Sequence, residues 1–276
     1  MELSIWSAYY SELSPEEAIL RFKQNGIYCT ELSDEHGKML IDRGNPIETG
    51  KAFGEFAQQN GIKILQGHMW LQAKICTMPD AVDILKDWID LYHAIGIKSA
   101  VLHCDYMLGL GLSAEEILVQ NVEKLKELTS YIGDRDITIC LENLRWKEEG
   151  VAIFDTAEAL LKVIELVGSD KLGITLDTGH LNLTKTTTQR EFILTAGEKL
   201  KAIHIANNDG TADQHLSPFE RGDVDFYEVI RALREIGFSM PINYENPGDR
   251  AYCPMELRDA KIPFFKQAFE YLIKNS

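Results

Sequence analysis

Residues 133–142, GDRDITICLE, and residues 168–177, GSDKLGITLD, each open on a glycine, pass through a short aliphatic and β-branched run, and close on a carboxylate. Gly133 and Gly168 lie 35 residues apart, and Gly26, Gly61 and Gly96 repeat that interval. With Gly197 and Gly237 these glycines punctuate the whole chain, each following an amphipathic stretch. A glycine just past a helix end takes the left-handed conformation that closes the last turn. An apolar run directly after it reads as a strand buried on both faces, as in a parallel sheet. The punctuation therefore predicts helix and strand in alternation.

Worked outward, the pattern predicts strands at 3–8, 27–32, 63–68, 99–104, 137–142, 172–177, 201–206 and 242–245. Helices are expected near 15–25, 50–60, 80–95, 114–132, 156–167, 189–199, 225–236 and 255–274. Several start on an N-cap signal: Ser14 before Glu17, Ser113 before Glu116, and Asp155 or Thr156 before Glu158. Eight βα units predict an α/β (β/α)8 TIM barrel, a single domain over residues 1–276. An open doubly wound sheet is the alternative, but no GxGxxG follows the first strand. Strand parity fits a barrel. Ile137, Ile139 and Leu141 share one face of the fifth strand, with Thr138, Cys140 and Glu142 on the other. The apolar face is expected to meet helices and the small or polar face to line the barrel.

Composition excludes several classes. The chain has a net charge of −15, which argues against the basic footprint of a nucleic-acid binder. Arg145, Lys147, Lys185, Arg221 and Arg250, beyond the strands, could still form a positive mouth. The five cysteines are scattered, with no CxxC, so neither a disulfide framework nor a zinc ribbon is implied. No run is long and apolar enough for a bilayer span, and the first residues lack a signal-peptide pattern. No membrane partner is expected, and the cytoplasm is the default location.

Chemistry gathers at strand ends. Glu142, Asp177, His204 and Glu245 stand at the C-terminal ends of the fifth to eighth strands, the face where barrel active sites lie. An ionised carboxylate at the end of an apolar strand is costly to bury alone, and a divalent cation shared by three carboxylates and an imidazole removes that cost. The bland alternative is four unrelated polar caps bonded to loop backbone. His68, His103, His180 and His215 follow the same placement, at strand ends or just beyond. Arg221, on the long loop after the seventh strand, is a candidate clamp on a substrate oxygen, or else the partner of Glu220 or Asp223. Trp70 and Trp146 are candidate pocket walls.

The motifs LENL around Glu142, LDTGH at 176–180, HIANND around His204, DQHLSPFERGDVDF at 213–226 and NYEN around Glu245 resemble, in order and over nearly the whole chain, the xylose-isomerase-like barrel superfamily. That superfamily comprises sugar isomerases and epimerases and includes endonuclease IV. The resemblance implies one divalent metal (Mn, Mg, Co or Zn) on Glu142, Asp177, His204 and Glu245, and no organic cofactor. Glu142 and Glu245 would double as the acid/base pair that moves a proton beside a carbonyl through a metal-stabilised enediolate. His180 would bond substrate oxygens beside the metal, with His68, His103, Arg221 and Trp70 completing the substrate contacts. The implied partner is a small sugar or sugar phosphate, and a homo-oligomer is compatible with this reading. Residues 246–250, NPGDR, are a candidate phosphate site or an ordinary turn.

The resemblance to endonuclease IV implies a rival. His68, His103, His180, Asp213 and His215 match its additional zinc ligands, so the chain carries a suitable residue at every position of a trinuclear set that would cleave phosphodiesters in damaged DNA. The acidity and the lack of a basic, aromatic loop to open a duplex weigh against it. A metal-dependent dehydratase on the same fold begins with the same proton abstraction and stays open. A non-catalytic carbohydrate binder would need neither the acid/base pair nor the metal set.

Overall fold

A computed structural model describes residues 1–107, 109–145, 153–247 and 253–276. Trp146, Lys147, Gly248, Asp249 and Arg250, singled out from the sequence, lie outside the described residues. Eight strands form a closed parallel barrel in chain order: β1 Leu3–Trp6, β2 Cys29–Leu32, β3 Lys63–His68, β4 Ser99–Leu102, β5 Thr138–Glu142, β6 Leu172–Asp177, β7 Leu200–Ile205 and β8 Ile242–Tyr244. The barrel closes where β1 pairs with β8, Leu3 opposite Ile242.

The helices follow the sequence signals where caps are strong. Helix α1, Pro15–Gln24, starts on a reciprocal capping box between Ser14 and Glu17. Ser113 and Glu116 form another at α5, Ala114–Ile132. Thr156 rather than Asp155 caps α6, Ala157–Val167. Gly96 and Gly168 are left-handed C-caps, as expected. Gly133 and Gly197 differ: their φ values of 55° and 51° combine with ψ of −129°, a region open almost only to glycine.

Eight helices are predicted, whereas eleven α-helices occur among the described residues. Two extra ones, α2 Asp34–Ile41 and α7 Thr178–Thr184, are short turns set directly on the strand ends. Their caps are Ser33 and Asp177, whose side chains accept from His36 N and His180 N. The third arises because the expected helix at 255–274 is two, α10 Met255–Asp259 and α11 Ile262–Asn275. Pro263 forces the break, since it lacks the N–H and its ring meets the carbonyl four residues earlier. The remaining outer helices are α3 Pro46–Gln59, α4 Ala81–Ile95, α8 Gln189–Ala196 and α9 Phe226–Glu235. Among the described residues, no helix is long and apolar enough to cross a membrane.

Parity holds as read. Ile139, Leu141, Ile174, Leu176, Ile203 and Ile205 join the large core between barrel and helices. Val101, Cys140 and Ala202 make a separate small cluster. They share the barrel's inner face with buried Ser4, Glu31, Gln66, Thr175 and Asn243. One close approach matters for the site. A Cβ on Gly67 would come 2.7 Å from Tyr92 Cε2 and 2.9 Å from Ile97 Cδ1. The Tyr92 hydroxyl donates to the His68 carbonyl at 2.5 Å, so the ring cannot swing aside without freeing that bond. Gly67→Ala is expected to cost about 1–3 kcal/mol by overpacking, read as a lowered Tm. An unchanged Tm would mean that α4 is free to move away from β3.

Candidate active site

Sheet register assembles the four strand-end residues. Asp177 on β6 lies directly opposite His204 on β7. Glu245 follows β8 and is fixed by its N–H donating to the Ile205 carbonyl at 3.1 Å. Glu142 ends β5, with Thr175 of β6 opposite it. Ligand atoms of Glu142, Asp177, His204 and Glu245 all lie within 4.8 Å of one another, and a second group, His68, His103 and Glu142, meets the same limit. Glu142 belongs to both groups. It is the hub.

Asn143, just after β5, fixes the Asp177 backbone. Asn143 Oδ1 accepts from Asp177 N at 2.7 Å, and its amide donates to the Asp177 carbonyl at 3.0 Å. Asp177 Oδ1 then accepts from His180 N at 2.6 Å as the cap of α7. That leaves Oδ2 pointing elsewhere with no hydrogen-bond partner, as are His204 Nδ1 and Glu245 Oε2. His204 Nδ1 stands 3.3 Å from Glu245 Oε2 and 3.5 Å from Glu142 Oε1. A buried acceptor left unmade costs about 1–3 kcal/mol, and here three converge. A divalent cation held there would satisfy all of them at once. Three carboxylates and one imidazole suit Mn, Mg, Co or Zn.

The imidazoles are oriented by their outer nitrogens. Three of them, His68, His180 and His215, point Nδ1 at the carbonyls of Met69, Asn143 and Glu245, at 2.8, 3.0 and 3.0 Å. Facing a carbonyl, Nδ1 must carry the proton, so Nε2 looks inward. His103 Nε2 is 3.0 Å from Glu142 Oε2 and His68 Nε2 is 3.4 Å from the same atom. His204 is turned the other way, with Nε2 on buried Glu31 at 3.0 Å. Asp213 meets His215 Nε2 at 3.1 Å and His180 Nε2 at 3.6 Å. It also pairs with Arg145 Nη1 at 2.6 Å.

Charge follows this geometry. Burial works to raise the Glu142 carboxyl, but the imidazoles of His204, His103 and His180 hold it well below the ordinary carboxylate range. Glu245 is likewise buried yet held down at about 2 by His204 and His215. Asp177 goes the other way, up to about 7, through burial and its neighbours Glu245 and Glu142, with His180 opposing. His103 is lowered, chiefly by burial. The two glutamates are therefore ionised, the state in which a base accepts a proton.

A cavity of about 660 Å³ opens above the cluster, lined by His68, His103, Glu142, His180, Asp213, His215 and Glu245 together with Lys74 and Arg145. The apolar part of the lining includes Trp6, Leu71, Met107, Leu110 and Leu144. Two sequence-based expectations are not met. Arg221 is 82% exposed and pairs with Asp209, neither lining the cavity nor meeting the expected Glu220 or Asp223. Trp70 packs against the core, and the neighbouring Leu71 and Gln72 reach the cavity in its place. The indole wall is Trp6, at the end of β1. Glu31 was missed too, although a lone glutamate near the end of the apolar run IYCTEL carries the same signal as Glu142.

A family model described as xylose isomerase-like TIM barrel matches residues 20–272. Among curated proteins, one of uncharacterised function from Methanocaldococcus jannaschii is 32% identical over 171 residues, 61% of this chain and 57% of that protein. An L-ribulose 3-epimerase of Methylomonas sp. is 26% identical over 166 residues, 59% of this chain and 55% of that protein. The chain thus spans less than two thirds of the length of these relatives. A probable endonuclease 4 of Mycoplasma pneumoniae also matches, 29% identical over 189 residues and 63% of each chain. A crystal structure of D-psicose 3-epimerase from Clostridium cellulolyticum H10 superposes with a TM-score of 0.79 over 99% of both chains at 17% identity, a likeness of fold.

Proposed function

Because the chain belongs to the xylose isomerase-like TIM barrel family, we propose that it is a divalent-metal-dependent epimerase or isomerase of a ketose or ketose phosphate. The observation that carries this reading is that ligand atoms of Glu142, Asp177, His204 and Glu245 lie within 4.8 Å of one another, while Asp177 Oδ2, His204 Nδ1 and Glu245 Oε2 are buried without hydrogen bonds. A divalent cation held there would neutralise negative charge that builds on substrate oxygens. The chain's own groups do the rest. One ionised glutamate, Glu245 or Glu142, takes the proton from the carbon beside the carbonyl. The proton goes back to the same or a neighbouring carbon either from that now protonated glutamate or from the other one after it has taken a proton from solvent. His180, with its Nδ1 proton committed to the Asn143 carbonyl, presents Nε2 to a substrate hydroxyl. His103, a quarter exposed and lining the cavity, holds Glu142 Oε2 through its Nε2 at 3.0 Å.

The trinuclear hydrolase is the weaker reading. Its third ion would need Asp213 with His180 and His215, and the Arg145 guanidinium already sits on Asp213. The experiment is direct. Protein loaded with Mn²⁺ and incubated with a panel of ketoses in deuterated water is expected to place deuterium on the carbon beside the carbonyl. No exchange with any ketose, together with cleavage of abasic duplex DNA, would reverse the assignment. Loss of water to a deoxy-keto product would move it to the dehydratases.

A further inference from the structure

We propose that Glu31 is a positioning residue: from beneath the cluster it holds the His204 ring with its proton on Nε2, so that the Nδ1 lone pair faces Glu142, Asp177 and Glu245. The inference rests on the metal-dependent reading above and extends it to a side chain outside the ligand set. Glu31 is fully buried near the end of β2, on the barrel's inner face. His204 Nε2 lies 3.1 Å from its Oε1 and 3.0 Å from its Oε2. Oε2 also accepts from Gln66 Nε2 at 2.6 Å and Asn243 Nδ2 at 2.5 Å. Asn243 is fixed in turn by Ser4, whose hydroxyl donates to its Oδ1 at 2.9 Å. Four strands besides β2 thus anchor one carboxylate.

Donor arithmetic settles the roles. Glu31 Oε2 already accepts from the Gln66 and Asn243 amides, so a ring nitrogen 3.0 Å from it must donate. The proton is therefore on Nε2, whatever Nδ1 does. The contrast within the site sharpens the point: three other imidazoles turn Nδ1 to backbone carbonyls, whereas His204 turns its outward nitrogen, Nε2, to a carboxylate. A carbonyl would fix the ring as well. A carboxylate additionally makes the opposite nitrogen a stronger donor to a cation, as carboxylate–histidine–metal arrangements do. Burying a carboxylate on the barrel axis is costly, and a filler of the same size would need no charge.

Glu31→Gln separates charge from shape. With the new carbonyl in the place of Oε2, the Gln66 and Asn243 amides and His204 Nε2 all keep their acceptor, and the new NH₂ takes the place of Oε1. The variant is expected to keep the wild-type Tm but to bind Co²⁺ roughly 10–100-fold more weakly, with a shifted visible absorption band. Equal affinity and an unchanged band would overturn the role of Glu31. If the variant does not fold, ¹⁵N spectra of the zinc-loaded wild type decide: a proton on His204 Nε2 supports the proposal, and a proton on Nδ1 overturns it. Wild-type protein that binds neither Co²⁺ nor Zn²⁺ at this site would sink the metal reading itself, a distinguishable result.

Discussion

Glu245→Gln is expected to lower ketose turnover about 10³-fold, within the roughly 10²–10⁴-fold that a positioned acid or base contributes. The substitution keeps size and shape. It removes a charge that His204 and His215 both face, and with it the ability of this group to accept a proton. The fold should survive, since the residue is held through its backbone: N–H to Ile205 and carbonyl from His215 Nδ1. Glu142→Gln should be worse, because Glu142 is common to both ligand groups and also meets His180 Nδ1 at 3.2 Å. Single-turnover deuterium incorporation separates the two effects. A Glu245→Gln protein that exchanges at more than a tenth of the wild-type rate would remove Glu245 from proton transfer. If instead exchange is lost only because metal is lost, raising the Mn²⁺ concentration restores it.

The parts of this site that were legible in the sequence share one property: their position depends on local chain alone. A residue at the C-terminal end of a parallel strand in a barrel must lie at the mouth, so Glu142, Asp177, His204 and Glu245 could be placed together before any coordinates. Glycines that close helices locate the strands for the same reason. What was not legible depends on partners far away in sequence. Arg221 pairs with Asp209, brought to it by the path of the loop after β7, not with its charged neighbours Glu220 and Asp223. Glu31 acquires its role only when Gln66, His204 and Asn243 arrive from three other strands. The short helix α7 was hidden because Asp177 serves as strand end, helix cap and cluster member at once. Trp6 outranked Trp70 as the cavity wall because β1 ends earlier than expected, at Trp6, and turns at Ser7–Tyr10.

Stripping the protein with a chelator is expected to abolish exchange, and one equivalent of Mn²⁺ or Co²⁺ per chain to restore it. The stoichiometry follows from the geometry. Glu142, Asp177, His204 and Glu245 offer a four-residue set, whereas His68 and His103 share Glu142 with it and bring no carboxylate of their own. A second ion would have to share Glu142 as a bridging carboxylate, with only His68 and His103 beside it, and a third would have to displace Arg145 from Asp213. Binding should also be visible in stability, because the cation satisfies atoms that are otherwise buried without partners in the native state. A ligand at a hundred times its Kd adds about 2.7 kcal/mol if it binds only the folded state. For a chain of this size that corresponds to a rise in Tm of roughly 5–10 °C. Isothermal titration gives the count and thermal melts give the shift. Three tightly held zinc ions per chain would transfer the site to the hydrolase class. Full activity in the stripped protein would leave the buried carboxylates without a chemical reason for their convergence.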